Sequence, residues 1–258
     1  KLSQVALELG GKSAMVIFED TDIERAVEAT IKGCLTNGGQ ICTAHTRLIV
    51  QEGIKDDLLK KLKNALEKIP YCRDPITERE RGDRAWETGM TDVIQPVVSA
   101  SQHEKIVGFL NEAKAAGIEI YTGGEVPDAA DLENSGGYFI QPTILTSVPS
   151  DSDAWQKEIF GPVLSVRSFS SEEEAITEAN STAFGLASTV MSSDPAKAMR
   201  VANRIRAGAV FATSTGEGLL AEHPAVSRGG YGCSGVGREL GISGLHEYTE
   251  LKSVNYPG

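Results

Sequence analysis

The stretch CLTNGGQICTAHTRLIV, residues 34 to 50, sets Cys42 in a turn marked by Gly38, Gly39 and Gln40, just before an apolar strand. A thiol needs no glycines in order to pack in a core. It needs them where the sulfur must stand open to a substrate while backbone N–H groups point at that substrate. The chemistry this predicts is nucleophilic attack by a thiolate. Activation calls for N–H dipoles or a cation close by, and the Gly38-Gly39-Gln40 turn is the local source of dipoles. Cys34 lies on the apolar stripe of a helix and reads as a small buried hydrophobe. His45 would be the base of a Cys–His hydrolase. Three residues along a turn-to-strand segment give poor hydrogen-bond geometry, however, and no third orienting group is evident. His103, His223 and His246 read as surface or structural residues.

Alternating strands and helices must position that turn. Val5–Leu9 and Ala14–Phe18 are short apolar runs, and Asp22–Leu35 is a helix with Ile23, Val27, Ile31 and Cys34 at helical spacing. Arg47–Val50 reads as a strand and Ile54–Ile69 as an amphipathic helix. A capping box of Ser101 with Glu104 opens a helix to about Ala116. Strands follow at 118–121, 139–148, 162–169, 189–191 and 207–213. Ser171 with Glu174 caps a helix to about Asn180, and Asp194-Pro195 opens one to Arg206. The alternating run 247–256 predicts a last strand that pairs outside the core. Residues 73–92 read as a surface excursion and 125–137 as a loop. The fold class is therefore α/β, an open, mostly parallel sheet with helices on both faces.

The chain has 258 residues and a net charge of −11, without a Lys/Arg cluster. Nucleic acid and anionic membranes are poor partners for it. No run approaches the roughly 18 apolar residues of a membrane span. Four cysteines (34, 42, 72, 233) form no CxxC, and four histidines show no metal-ligand spacing. Neither a disulfide framework nor a metal is expected, and a reducing compartment fits. The chain starts at Lys1, not Met, so a fragment or a processed product is expected.

Three further stretches make the pattern specific. LELGGKSA at 7–14, GGQICTA at 38–44 and EIFGPV at 158–163 resemble the signature stretches of the aldehyde dehydrogenase superfamily. The 34-residue interval from Glu8 to Cys42 matches that family's glutamate-to-nucleophile spacing. FIQPTIL, FGLAS, AGAV and SGVGRELG, at 139–145, 184–188, 207–210 and 234–241, extend the resemblance from end to end. It implies oxidation of a small aldehyde to a carboxylic acid, with NAD or NADP as hydride acceptor. Cys42 would be the nucleophile, and a thiolate suits that role because it also leaves well from the resulting thioester. Glu8 would be the base that activates water, its pKa tuned upward by partial burial. The Cys42 N–H is the local oxyanion donor. Glu158 would accept from the ribose hydroxyls, Phe160 would pack beside the nicotinamide, and Gly10 and Gly11 would allow close approach of cofactor or substrate.

The resemblance also implies a division of the chain. Residues 1–12 would be the edge of a cofactor-binding domain, 13–245 the catalytic domain, and 246–258 a tail that joins an oligomerisation sheet. The chain departs from the family pattern in having only seven residues before Glu8, so most of a dinucleotide site is missing from it and Val5–Leu9 should be an unpaired edge. That edge and the terminal strand imply a homo-oligomer or a covering partner. Phe211-Ala212-Thr213 and Gly232 depart from the usual residues, and 214–227 lacks the aromatics that often line the substrate tunnel. AWQKEIFGPV leans toward the betaine-aldehyde and aminoaldehyde branch. The competing reading is a non-catalytic structural or assembly subunit derived from such an enzyme.

Overall fold

The computed structural model describes residues 5–72, 93–128, 132, 136–216 and 224–257. The stretch 73–92, part of 125–137 and His223 lie outside them. In chain order the strands are β1 (Leu7–Glu8), β2 (Ala14–Ile17), β3 (Arg47–Gln51), β4 (Glu119–Thr122) and β5 (Thr143–Thr146). They continue with β6 (Val163–Phe169), β7 (Ala187–Met191), β8 (Ala209–Thr213) and β9 (Gly235–Val236). The helices are α1 (Ile23–Leu35), α2 (Glu52–Leu66), α3 (Ala100–Ala115), α4 (Asp153–Gln156), α5 (Glu172–Ala179), α6 (Pro195–Ala202) and α7 (Gly241–His246).

Seven strands form one sheet in the order β4-β5-β6-β3-β2-β7-β8. Only β4 runs antiparallel to its neighbour. Burial on both faces explains why the central strands read as continuous apolar runs. Ala14 and Val16 of β2 face one core, with Ile49, Val163 and Val190, under α3, α5 and α6. Met15 and Ile17 face the other, with Leu48, Val50 and Leu164, under α1 and α2. The alternation is the period-two geometry of a strand. Among the described residues, no helix is long and apolar enough to cross a membrane.

The caps at Ser171 and Asp194 form as expected. Ser171 Oγ accepts from the Glu174 N–H (3.3 Å), and Asp194 Oδ1 accepts from the Ala196 N–H (2.8 Å). Helix α3 starts differently. Its cap is Ser99, whose Oγ accepts from the Gln102 N–H (3.3 Å), because Ser99 has the extended backbone a cap requires. Helix α6 ends at Ala202 rather than Arg206, since the chain tightens there. Arg204 N donates to Val201 O (3.0 Å) and Ile205 N to Ala202 O (3.2 Å).

Two expectations about edges are corrected. Leu7–Glu8 is not unpaired: it pairs antiparallel with Gly235–Val236, Leu7 opposite Val236 and Glu8 opposite Gly235. Gly235 has φ 141°, and a Cβ there would lie 2.0 Å from the Leu7 carbonyl oxygen, so only glycine permits the pair. The run 247–256 forms no strand, and Tyr248, Leu251, Val254 and Tyr256 are exposed. Alternation specifies a face, but a strand also needs a hydrogen-bonding neighbour.

Candidate active site

The turn before Cys42 is built by left-handed backbone. Asn37, Gly38 and Gly39 have φ of 54°, 64° and 73°. A Cβ on Gly39 would meet the Gly161 carbonyl oxygen at 2.3 Å. Gln40 fastens the turn from both sides: its Oε1 accepts from the Val98 N–H (2.9 Å), and its Nε2 donates to Asn37 O (3.1 Å). The glycines thus serve the chain path and its packing on the loop that carries Glu158 and Phe160. The Gln40 N–H donates to Asn37 O (3.1 Å), and the amide that reaches the Cys42 sulfur is that of Thr43.

Cys42 is half-buried. Burial, with the negative charges of Glu8 and Glu158, pushes its thiol above the ordinary range, and Arg228 and the Thr43 amide pull it down less. The expected depression is therefore not present in this chain. The rate of Cys42 alkylation by iodoacetamide should still be climbing above about pH 10, where an ordinary thiol of pKa about 8.5 has levelled off. A plateau below pH 8, followed by mass spectrometry of the Cys42 peptide, would refute this.

Glu8 sits on β1, held by its ladder to β9 and by the Leu9 N–H donating to Ser234 O (3.0 Å). Its Oε2 accepts from Arg228 Nη2 at 3.0 Å, and its Oε1 is buried with no hydrogen-bond partner. Arg228 also faces Glu239, Nε to Oε2 at 3.7 Å. Sequence reasoning passed over Arg228. The only signal was a charged residue inside the glycine-rich run RGGYG, and its partner lies 220 positions away.

Glu158 is brought to the same place from the loop after α4. Its Oε1 accepts from the Gly11 N–H (2.9 Å), and a Cβ on Gly10 would lie 2.3 Å from its Oε2. Gly10 therefore admits the Glu158 carboxylate. Gly11 does the same for Cys42: a Cβ there would lie 2.3 Å from the Cys42 carbonyl oxygen. Phe160 holds φ 60°, and Gln102 Nε2 donates to its carbonyl (2.8 Å) and to that of Ile159 (3.1 Å). A left-handed phenylalanine is costly and is kept here by those bonds.

Behind these residues lies a buried polar layer that the sequence did not reveal. Arg47 donates from Nε to Lys12 O (2.8 Å), from Nη1 to Glu178 O (2.8 Å) and from Nη2 to Ala179 O (2.7 Å). Lys12 is buried with no hydrogen-bond partner on Nζ, and burial beside Arg47 brings its pKa down to about 7. His45 is buried, its Nε2 is 3.0 Å from Thr189 Oγ1, and burial holds its pKa near 4. Its ring is thus engaged with β7, and the Cys–His reading gains no support. His103 is likewise structural, with Nε2 3.1 Å from Phe139 O.

A cleft of about 350 Å³ opens beside this cluster, with Glu8, Thr43, Leu186, Val210, Phe211 and Arg228 on its walls. A half-buried thiol, two carboxylates and a guanidinium gather in one electrostatic neighbourhood. The chain belongs to the aldehyde dehydrogenase family, whose model matches residues 1–254. It is 40% identical over 250 residues to the peroxisomal aminoaldehyde dehydrogenase 1 of Pisum sativum, covering 97% of this chain and 46% of that protein. It is 38% identical over 256 residues to the betaine aldehyde dehydrogenase of Bacillus subtilis, covering 98% of this chain and 48% of that one. A crystal structure of betaine aldehyde dehydrogenase from Staphylococcus aureus with NAD+ superposes with a TM-score of 0.82 at 38% identity, over 94% of this chain and 44% of that one. The chain thus spans about half the length of these relatives.

Proposed function

We propose that this chain performs the carbon-centred half of aldehyde oxidation, with Cys42 as nucleophile and Glu8 as the base. The observation that carries the reading is the convergence of Glu8, Glu158 and Arg228 on the Cys42 thiol. The Cys42 thiolate adds to the aldehyde carbonyl and gives a thiohemiacetal. NAD or NADP, when bound, supplies the hydride acceptor that turns this adduct into a thioester. Glu8 then takes a proton from water as the water attacks the thioester carbonyl, and the Cys42 thiolate leaves. Arg228 holds one oxygen of Glu8, so the other, Oε1, is the one left to meet that water.

For the cofactor, Glu158 fits in part. One carboxylate oxygen is committed to the Gly11 N–H, and Oε2 remains to accept from a sugar hydroxyl. Phe160 would pack beside the ring. On this reading residues 13–245 are the catalytic domain and 1–12 belong to a cofactor-binding part. The tail 246–258 leaves its exposed apolar side chains to a partner chain of the oligomer.

The test uses an activated ester, which needs nucleophile and base but no hydride acceptor. With p-nitrophenyl acetate, Cys42 displaces nitrophenolate and becomes acetylated, and water assisted by Glu8 regenerates it. In Glu8→Gln the acetyl group should accumulate on the Cys42 peptide after a burst of about one nitrophenolate per chain, while steady turnover falls about 100-fold. A folded chain that gives neither burst nor acetyl adduct would favour a structural subunit instead.

A further inference from the structure

We infer that Arg228 is a positioning residue for both steps of the reaction: its charge acts on the Cys42 thiol, and its guanidinium holds Glu8 in place to act on water. The inference rests on the aldehyde reading proposed above and adds one residue that serves nucleophile and base together. Arg228 Nη2 donates to Glu8 Oε2 at 3.0 Å. Its backbone is locked by a two-way pair with Glu239, Arg228 N to Glu239 O at 2.9 Å and Glu239 N to Arg228 O at 2.8 Å. Arg228 shares the walls of the cleft with Glu8 and with Thr43, the neighbour of Cys42.

The segment 228–239 is thus a cradle for Glu8. Its ends are the paired residues Arg228 and Glu239. Between them Gly235 is the strand partner of Glu8, and Ser234 O accepts from the Leu9 N–H (3.0 Å). Those backbone contacts fix where the Glu8 side chain leaves the chain, and the guanidinium fixes where its carboxylate points. With Glu8 18% and Arg228 27% exposed, the pair is screened less than one on the open surface. Misplacing a reacting group by about 1 Å costs up to about 100-fold in rate. The same charge acts on the sulfur. Burial disfavours the Cys42 thiolate, as do the charges of Glu8 and Glu158, while Arg228 and the Thr43 amide favour it. Glu239 also faces the guanidinium, Nε to Oε2 at 3.7 Å, but it is half-exposed and the weaker partner.

Lysine at 228 would keep the charge but lose the planar group held between two carboxylates. The test uses that difference on the intact chain. With iodoacetamide the Cys42 thiolate displaces iodide and forms a thioether, so at pH 8 the rate tracks the thiolate fraction. Mass spectrometry follows the Cys42 peptide, with the exposed Cys233 as internal control. Arg228→Met should slow alkylation about threefold, and Arg228→Lys should restore it. With p-nitrophenyl acetate, the acetyl group on Cys42 should last about tenfold longer in both variants, since neither fixes the Glu8 carboxylate. Glu239→Gln loosens the cradle without touching Glu8 and should change either readout less than twofold. A Glu239→Gln chain that reproduces Arg228→Met overturns the inference, because Arg228 would then only support the fold. So does an Arg228→Met chain that alkylates and deacetylates like the unaltered one. An unaltered chain that alkylates at Cys42 but takes no acetyl group overturns the aldehyde reading instead, and the alkylation rates of the variants still uphold or overturn the role of Arg228.

Discussion

A chain with alanine at position 42 is expected to hydrolyse p-nitrophenyl acetate no faster than buffer, a fall of at least about a thousandfold. None of the other cysteines can take over. Burial pushes the Cys34 thiol up to about 12. Cys72 is buried as well, and Cys233 is exposed, without a described pairing to a carboxylate. Glu8 alone could assist water on a bound ester, but its Oε2 is held by Arg228 and the carbonyl would lack its anchor at Cys42. Cys42→Ser should be almost as inactive, since an alcohol at that position has no base arranged to deprotonate it. Stopped-flow release of nitrophenolate is the measurement. Turnover in Cys42→Ala above about a tenth of the unaltered rate would remove Cys42 from the chemistry.

Arg47→Ala should be the most damaging change to stability. The guanidinium is 5.0 Å over the Trp155 ring and donates to the carbonyls of Lys12, Glu178 and Ala179. Its loss takes from the Lys12 and Ala179 carbonyls the bonds that Arg47 gives them, at about 1–3 kcal/mol each, and opens a cavity besides, while Glu178 O keeps the Ser181 hydroxyl (2.7 Å). A total near 4 kcal/mol is expected by urea denaturation, a large part of a domain's usual stability. Arg47→Lys should recover only part of it, because an ammonium cannot span carbonyls from two elements as a planar fork does. A midpoint within about 1 kcal/mol of the unaltered chain for Arg47→Ala would show that the layer is dispensable. The Lys12 carbonyl belongs to the segment that carries Glu8, so residual folded protein should also show weakened Glu8 function.

The parallel sheet was legible because its strands are apolar runs separated by amphipathic helices, as at Ala14–Ile17 followed by Ile23–Leu35. The Ser171 and Asp194 caps were legible because capping is decided within four residues. The Ser99 cap was missed because two serines compete within three positions and only backbone geometry chooses between them. Cys42, Glu8 and Glu158 were singled out through motif and spacing, and the structure brings them into one electrostatic neighbourhood. The contact of Gly10 with the Glu158 carboxylate was not legible because the two lie 148 positions apart. Arg228, Lys12 and Arg47 escaped for the same reason. A buried charge is defined by what surrounds it, and none of those neighbours is local in sequence.

The β1–β9 ladder joins the first described strand to the last, Leu7 to Val236. Synthesis from the N-terminus therefore produces Glu8 early and supplies its support late. Until Arg228 and Gly235 have left the ribosome, the carboxylate has neither its ion pair nor its strand partner. The seven-stranded sheet is complete by Thr213, so a growing chain can fold its scaffold while the site remains open. A premature stop after Thr213 would then leave all seven strands of the sheet present and Glu8 without its strand partner or its ion pair.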